Sequence, residues 1–427
     1  MSTIISDCSQ VRRHAATPST NNTIGGTDWK QQNKHFFILS NSGKPVWARY
    51  GNESQLSSLM GITQAIISFF QDDDGDCIKS IEAGHHLFVF LVREPLYYVS
   101  VSGTGESVAQ IREQLIYLHN QILSVLTSIQ LSRIFEQHVN FDLRRLIEGT
   151  EVFLKSLCTL FNKDHSFMMS ALQCLRLNRS VRDQAGSLLT DGRVKNLLYA
   201  MVVANGRLVT LLRPKKQSLH PMDLLLLFNM LTGSTTFHTA ESWTPLCLPK
   251  FNSNGFLYAY ISDIEPGLSV VVISTDKNNF FDISHWKQSI VESMEKQEIL
   301  SSIKTSSETH YTVDDIQIPS LLHFMYKSKV HIQFTTPGLT VPLDERRLYR
   351  LYQHVYDRMH ERDRALKLYY IETDSEIVLG WITSSFELYV VFPCNTPKSL
   401  IISSSNQLLR WIKKNEDNLF ILNAPVF

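Results

Sequence analysis

From Lys34 onward the apolar positions switch from strand spacing to helix spacing and back, and the same order of switches occurs three times. His35 to Leu39 is an apolar, aromatic run, and Asn41, Ser42 and Gly43 supply turn chemistry, since Asn and Gly tolerate positive φ. Pro45 to Tyr50 returns as a second strand. Asn52 suits an N-cap, with Gln55 three residues on. A long helix follows, with Leu56, Leu59, Met60, Thr63, Ile66, Ile67 and Phe70 at helical spacing. Gly61, Ile62, Ala65 and Phe69 fall largely outside that stripe. A helix with one face on its own sheet needs a single apolar stripe. The second side of this one therefore asks for a cover, either a partner or later parts of the chain.

The first unit continues through the acidic turn Asp72-Asp73-Asp74-Gly75-Asp76 into strands at Ile78 to Ala83, His86 to Val92 and Leu96 to Ser102. Ser107, with Gln110 in the capping-box position, opens a second helix striped by Val108, Ile111, Leu115, Leu118, Ile122 and Val125. An antiparallel five-stranded sheet with helices on its faces is the economical packing for strand, strand, helix, three strands, helix. A helical stretch from about Thr127 to Leu189 separates this unit from the next.

In the second unit, Leu198 to Ala204 and Arg207 to Leu212 flank Asn205-Gly206, a strong hairpin signal. Pro221 stands where a helix begins, and Met222 to Leu231 is apolar nearly all round, hence buried. Strands near Leu246, at Phe256 to Ile261 and at Ser269 to Ser274 precede a helix over about Asp282 to Ser302. The third unit has strands at Leu321 to Tyr326 and His331 to Thr335. Its first helix is capped by Asp344, with Leu348, Leu351, Tyr352, Val355, Tyr356 and Met359 on one face. Strands at Leu366 to Ile371, Ile377 to Thr383 and Phe386 to Phe392 follow, then a helix from about Ser403 to Lys414, and Leu419 to Leu422 is expected to dock as an extra strand. The repeat is one of architecture rather than of residue identity.

Composition narrows the function classes. Lys plus Arg equals Asp plus Glu, 41 each, so there is no global drive toward nucleic acid or an anionic membrane, and any such contact is a local patch. The six Cys are scattered without CxxC spacing, as in a reduced, cytosolic protein. Residues 1–33 are rich in Ser, Thr, Asn and Gln and read as a flexible arm, without the apolar core of a signal peptide. No apolar run reaches the roughly 18–20 residues that span a bilayer. A soluble, intracellular chain is the expectation.

The motifs of covalent chemistry are missing from the sequence. Gly103-Thr104-Gly105 has neither dinucleotide spacing nor a following Lys-Ser/Thr pair. Asp72 to Asp76 is no calcium loop, because Phe70 holds the first ligand position and no Glu closes it. His85-His86, His354 and His360 lack metal spacing, and no GxSxG, Cys-His or kinase signature occurs. Neither cofactor nor metal is expected, and the chain reads as one that binds rather than reacts. Three basic clusters are candidates for anionic lipid headgroups: Arg213 with Lys215 and Lys216, Arg346 with Arg347 and Arg350, and Arg410 with Lys413 and Lys414 around Trp411. The bland alternative for each is a solvated helix face.

Six segments taken together, KHFFILSNSGKPVWARYGNE, FDLRRLIEGTE, LHPMDLLLLFNM, WTPLCLPKFN, HFMYKSK and LLRWIKKNEDNLFIL, resemble the Mon or SAND family of vacuolar fusion proteins, over roughly Lys34 to Leu422. The resemblance implies an α+β chain of three longin domains, each a five-stranded antiparallel sheet flanked by helices. Residues 34–190 form the first with its extra helical segment, 191–308 the second and 309–427 the third. It further implies pairing with a second three-longin protein, Ccz, as a guanine nucleotide exchange factor for the late-endosomal or vacuolar Rab GTPase. That activity carries no covalent chemistry. Recruitment would be by the early-endosomal Rab and by phosphoinositides, placing a cytosolic protein peripherally on endosome, lysosome or vacuole membranes. The short arm puts regulation through that region in doubt. Trp47, Arg49 and Tyr50 on the hairpin and Leu56, Met60 and Ile62 on the long helix are the candidate contacts to the GTPase or Ccz, because aromatic and Arg side chains dominate interfaces. Each can equally be ordinary core. Trp243, in a loop ahead of Pro245, is the candidate contact to the recruiting Rab, with a buried loop anchor as its alternative. A non-catalytic longin-type scaffold or coat-like adaptor is the rival function.

Overall fold

The computed structural model describes residues 32–51, 53–72, 77–138, 140–233, 241–339 and 344–427. Nearly all of the arm, the Asn52 cap and the acidic turn after Asp72 lie outside the described residues.

The first unit runs β1 (Lys34–Ser40), β2 (Pro45–Ala48), α1 (Glu53–Asp72), β3 (Ser80–Ala83), β4 (His86–Arg93), β5 (Leu96–Ser102) and α2 (Val108–Val125). Its sheet has the order β2-β1-β5-β4-β3, every neighbour antiparallel. The capping box at the start of α2 forms: the Gln110 N–H donates to Ser107 Oγ (3.3 Å), and the Ser107 N–H donates to Gln110 Oε1 (3.4 Å).

The expected helical stretch after α2 is broken into α3 (Ser128–Gln137), α4 (Arg144–Ile147), α5 (Glu151–Leu160), α6 (His165–Met169), the two-residue strand β6 (Leu172–Gln173) and α7 (Arg179–Thr190). The breaks fall where caps interrupt the apolar stripes, as at Thr127 and Asp164, whose side chains accept from Gln130 and Ser166. The second unit comprises β7 (Leu197–Ala204), β8 (Arg207–Leu212), α8 (Pro221–Gly233), β9 (Ser242–Leu248), α9 (Pro249–Asn252), β10 (Ser253–Glu265), β11 (Leu268–Ser274), α10 (Phe280–Lys296) and α11 (Ile299–Glu308). Its sheet repeats the topology of the first as β8-β7-β11-β10-β9. Asn205 and Gly206 both take positive φ, as a two-residue hairpin turn requires. The single helix expected over Asp282 to Ser302 is two, broken at Glu298, which sits at φ 57°.

The third unit is β12 (His323–Ser328), β13 (Gln333–Thr335), α12 (Glu345–His360), β14 (Leu368–Glu372), β15 (Glu376–Ile382), β16 (Phe386–Pro393), α13 (Lys398–Lys414) and α14 (Glu416–Leu419). Here the sheet has six strands, β14-β15-β16-β12-β13-β6, because β6 from the connecting stretch adds to β13 in parallel. Leu419 to Leu422 is not the expected extra strand. It closes α14 and continues without strand pairing, because β6 already occupies the edge and Ile421 N–H bonds instead to the Gln333 side chain.

Burial shows how the units stack. One continuous core lies between the inner faces of the first and second sheets and takes in α2, α5 and α8. On the far side of the second sheet, Ala185 and Leu189 of α7 share a core with Ile283, Trp286, Ile290, Ile299 and Ile303 of α10 and α11. The third sheet is covered on one face by α12 with Met169 and Ala171, and on the other by α13. Among the described residues, α1 is the helix that packs on the outer face of the first sheet.

Candidate docking surface

On α1, Leu56, Met60 and Ile67 are fully buried against Phe37, Leu39, Phe90, Tyr97 and Val99 of the sheet. That is the stripe read from the sequence, placed on one side of an i, i+4, i+11 row. The opposite side is open. Ile62 is 57% and Phe69 66% exposed, Phe70 is exposed beside Phe69, and Ala65 and Gly61 are exposed among them. Ile62, Ala65 and Phe69 are spaced by three and four, so they form one outward row. From Ser54 to Gln71 the helix has no charged residue at all. A surface helix ordinarily carries charge on its solvent side, so an outward row this apolar is a surface awaiting a cover.

Just past the end of β2, Arg49 and Tyr50 pack on each other. The Arg49 guanidinium lies over the Tyr50 ring at 4.9 Å. Tyr50 is fixed in turn by His35, whose ring meets it edge-on at 5.4 Å and whose Nε2 lies 2.8 Å from the Tyr50 carbonyl oxygen. Burial pushes the His35 imidazole down to about 4, so it is neutral at physiological pH and acts as a packing and hydrogen-bonding piece. Near the other end of α1, Gln71 accepts from the Tyr97 hydroxyl (3.1 Å) beside a cleft of about 410 Å³ lined by Cys77, Arg93, Glu94 and His119. His119 faces the Tyr98 hydroxyl at 3.0 Å and is likewise pushed to about 4 by burial.

The candidates from sequence divide accordingly. Arg49 and Tyr50 are half-buried just past β2, and Ile62 stands on the open row. Trp47 is 3% exposed, Leu56 and Met60 are as buried, and all three spend their surface inside this chain, Trp47 in the shared core and the other two under α1. Phe69 was outside the site read from sequence, although its place off the main stripe was the signal that could have found it. Phe70, which belongs to that stripe by spacing, turns out to stand in the open.

Trp243 is on the edge strand β9 rather than in a loop, paired across to Tyr260. It is half-buried, stacked on Tyr258 at 5.7 Å, with its Nε1–H donating to the Lys277 carbonyl. Phe280 lies 6.2 Å from it, and the neighbouring Phe281 is one of the most exposed aromatics among the described residues. The basic clusters are not gathered into one patch, since α12 and α13 lie on opposite faces of the third sheet. Arg346 and Arg350 are exposed, while Arg347 pairs with Glu376 at 2.7 Å. Arg410 and Lys414 are exposed and Lys413 pairs with Glu416. Trp411 is half-buried near Tyr311, with the Arg176 guanidinium 5.9 Å above it. Lys215 and Lys216 are exposed and Arg213 half-buried.

Ionisable groups inside the fold serve packing. Lys34 and Glu106 form a buried ion pair whose carboxylate also accepts from Thr104 (2.6 Å), Gln114 (2.8 Å) and Gln353 (3.2 Å). Burial works against that charge, but these partners together hold the Glu106 carboxyl below its ordinary range. Among the described residues no three His, Cys, Asp or Glu side chains converge as metal ligands, and no helix is long and apolar enough to cross a membrane.

Three family profiles match, described as the first, second and third Longin domain of FUZ, MON1 and HPS1, at residues 34–157, 195–292 and 320–416. The chain is 41% identical to the vacuolar fusion protein MON1 homolog A of Bos taurus, over 93% of this chain and 73% of that protein. It is 40% identical to Protein SAND of Takifugu rubripes, over 93% of this chain and 78% of that protein. It is also 40% identical to the vacuolar fusion protein MON1 of Cryptococcus neoformans, over 92% of this chain and 65% of that protein.

Proposed function

The chain belongs to the MON1 and SAND family of vacuolar fusion proteins and its three units are longin domains, and on that footing we propose that it is one subunit of a heterodimeric guanine nucleotide exchange factor. The other subunit is Ccz, and the substrate is the late-endosomal or vacuolar Rab GTPase. Family membership supports a role in vacuolar membrane traffic. The observation that carries the finer reading is the uncharged outer row of α1, Ile62, Ala65 and Phe69, which nothing among the described residues covers.

Exchange works by linkage rather than by an acid, base or nucleophile. A surface that binds the nucleotide-free GTPase better than the loaded form weakens nucleotide binding by the same factor. Each 1.4 kcal/mol or so of that difference gives about tenfold. In this reading α1 docks Ccz through its outer row, and Arg49 and Tyr50 meet the GTPase. Trp243 with Phe281 on the middle domain serves the recruiting early-endosomal Rab. Arg346, Arg350, Arg410 and Lys414, with Lys215 and Lys216, offer separate contacts to anionic lipid on a protein that is cytosolic until recruited.

Release of a fluorescent nucleotide from the loaded Rab, measured with this chain, with Ccz and with both, tests the reading. Release that needs both subunits is the expected result. Capture of the Rab by the pair without any release would replace it with the non-catalytic scaffold or adaptor. Full activity of this chain alone would remove the proposed role of α1.

A further inference from the structure

The three units are joined in two different ways. The first and second share one apolar core, from Phe36, Ile38 and Trp47 through Leu115 and Leu226 to Met201 and Val271, which makes them a single rigid body. Among the described residues no apolar cluster runs from the first sheet into the third. Apart from Met169 and Ala171 of the stretch before β6, which pack in the third unit's core, those two units meet through hydrogen bonds. Gln110 Nε2 donates to the Gln353 carbonyl (2.9 Å), Gln353 Nε2 to Glu106 (3.2 Å), and the Tyr349 hydroxyl to the Phe161 carbonyl (2.9 Å). His165, whose ring centre is 4.9 Å from that of Tyr349, keeps a buried Nε2 with no hydrogen-bond partner at the same junction. A polar interface of this kind is the sort across which domains move.

Besides single side-chain contacts, Arg207 to His310 (3.0 Å), Arg176 over Tyr311 (5.1 Å) and Lys327 to the Met169 carbonyl (2.7 Å), two thin backbone elements tie the third unit to the rest. One is β6, which pairs with β13 through only Gln333↔Leu172 and Phe334↔Gln173 and continues to an isolated bridge between Cys174 and Leu208 of β8. The other is the segment Asn415–Phe427. It leaves the third unit at Phe420, buried in the core under α13, and Ile421 enters the core shared by the first two. The Asn418 carbonyl accepts from Leu177 N–H (3.0 Å) and from Arg182 (2.9 Å). Further on, Arg213 N–H donates to the Pro425 carbonyl (3.1 Å), Phe427 N–H to the Arg213 carbonyl (3.2 Å), and Lys215 N–H to the Phe427 carbonyl (3.0 Å). The segment thus ends as a strap on the continuation of β8, with the Arg193 guanidinium over the Phe427 ring at 3.7 Å. Gly186 on α7 makes room for it: a Cβ there would come within 3.2 Å of Pro425.

We infer that the third unit is a body that swings against the other two about β6, and that the strap ending at Pro425–Phe427 is the latch that holds it closed. When the latch lifts, the hydrogen bonds of Gln110, Gln353 and Tyr349 part, and the charged outer side of α12 turns relative to the open row of α1. The three sheets keep their own cores throughout.

Hydrogen–deuterium exchange on the full chain tests this with two variants, one lacking residues 425–427 and one, Gly186→Val, that keeps the strap but crowds its seat. In both, amides in residues 104–114, 161–169 and 349–356 exchange at least tenfold faster, while the central strands β1, β7, β11, β12 and β16 stay protected. Faster exchange confined to the Arg213 and Lys215 amides, with the first–third junction unchanged, would overturn the inference. So would loss of protection across all three sheets in both variants, which would make the strap part of the cooperative core.

Discussion

Helices α1 and α8 occupy the same place in their units, directly after the opening hairpin, and both have more apolar surface than one sheet can cover. The chain encloses one and leaves the other open. Every residue of α8 from Met222 to Leu231 is buried between two sheets. Most of its polar atoms are answered from inside: Asp223 accepts from the Lys250 and Phe251 backbone at 3.0–3.1 Å, and Asn229 donates to Gln121 and to the Phe153 carbonyl, though its Oδ1 has no partner. On α1 the sheet covers Leu56, Met60 and Ile67, and nothing among the described residues answers Ile62 and Phe69. The corresponding helix of the third unit, α12, shows the ordinary solution, with Leu348, Tyr352, Val355 and Met359 buried and Arg346 and Arg350 exposed. Apolar excess on a helix therefore says that a second surface is required, without saying whose surface it is.

The comparison can be broken most severely from α8. Leu224→Ala, at a side chain buried in the shared core, should cost about 3 kcal/mol, read as a lowered urea midpoint. The same substitution at Leu56 should cost about 2–3 kcal/mol, since the sheet side of α1 is packed as well. If the Leu56 variant were silent, α1 would not be the seated helix described above.

A smaller effect separates the two helices by pH. Burial pushes the Asp223 carboxyl up to about 6, against the hydrogen bonds from Lys250 and Phe251 that pull it down. The folded chain then holds this proton more tightly than the unfolded chain does. Its contribution should fall by about 1.4 kcal/mol per pH unit as pH rises from about 4 to about 6, and stay level above that. Subtracting the urea midpoints of Asp223→Asn from those of the parent chain across this range isolates the slope. α1 has no titratable side chain between Ser54 and Gln71 and should show no counterpart.

The open row should respond in the opposite sense to α8. Ile62→Asp with Phe69→Asp should change the stability of the isolated chain by no more than about 0.5 kcal/mol, yet reduce capture of Ccz at least tenfold in co-purification. Unaltered capture would show that α1 faces water in the assembled protein too. Smallest of all for the fold should be Arg346→Glu with Arg350→Glu. This pair should leave stability and Ccz capture alone while weakening salt-sensitive flotation with anionic vesicles.

Much of the architecture was legible in the sequence because it is local. The Asn205-Gly206 turn, the Ser107 and Gln110 capping box and the apolar belt of Met222 to Leu231 each need only a few neighbouring residues, and each formed where its chemistry pointed. What failed to show depends on residues far apart. Trp47 looks like an interface aromatic until the shared core closes over it. Trp243 sits in a strand because Tyr260 pairs with it from a distant segment. The Leu419 to Leu422 run has strand composition, but the edge it would join is taken by β6, a strand only two residues long and invisible to any periodicity. Of the candidate docking residues, spacing along α1 identified that a second row exists. That spacing put Met60 on the covered stripe and Ile62 off it, as the structure has them, but it also put Phe70 on the covered stripe, and Phe70 stands exposed.

Because β6 is synthesised well before β13, its only strand partner among the described residues, the ribosome delivers half of a pair long ahead of the other half. During that interval Leu172 and Gln173 present bare backbone amides and carbonyls, and the first two longin domains have time to assemble around Cys174 and Leu208. The last domain then emerges onto a ready-made rail.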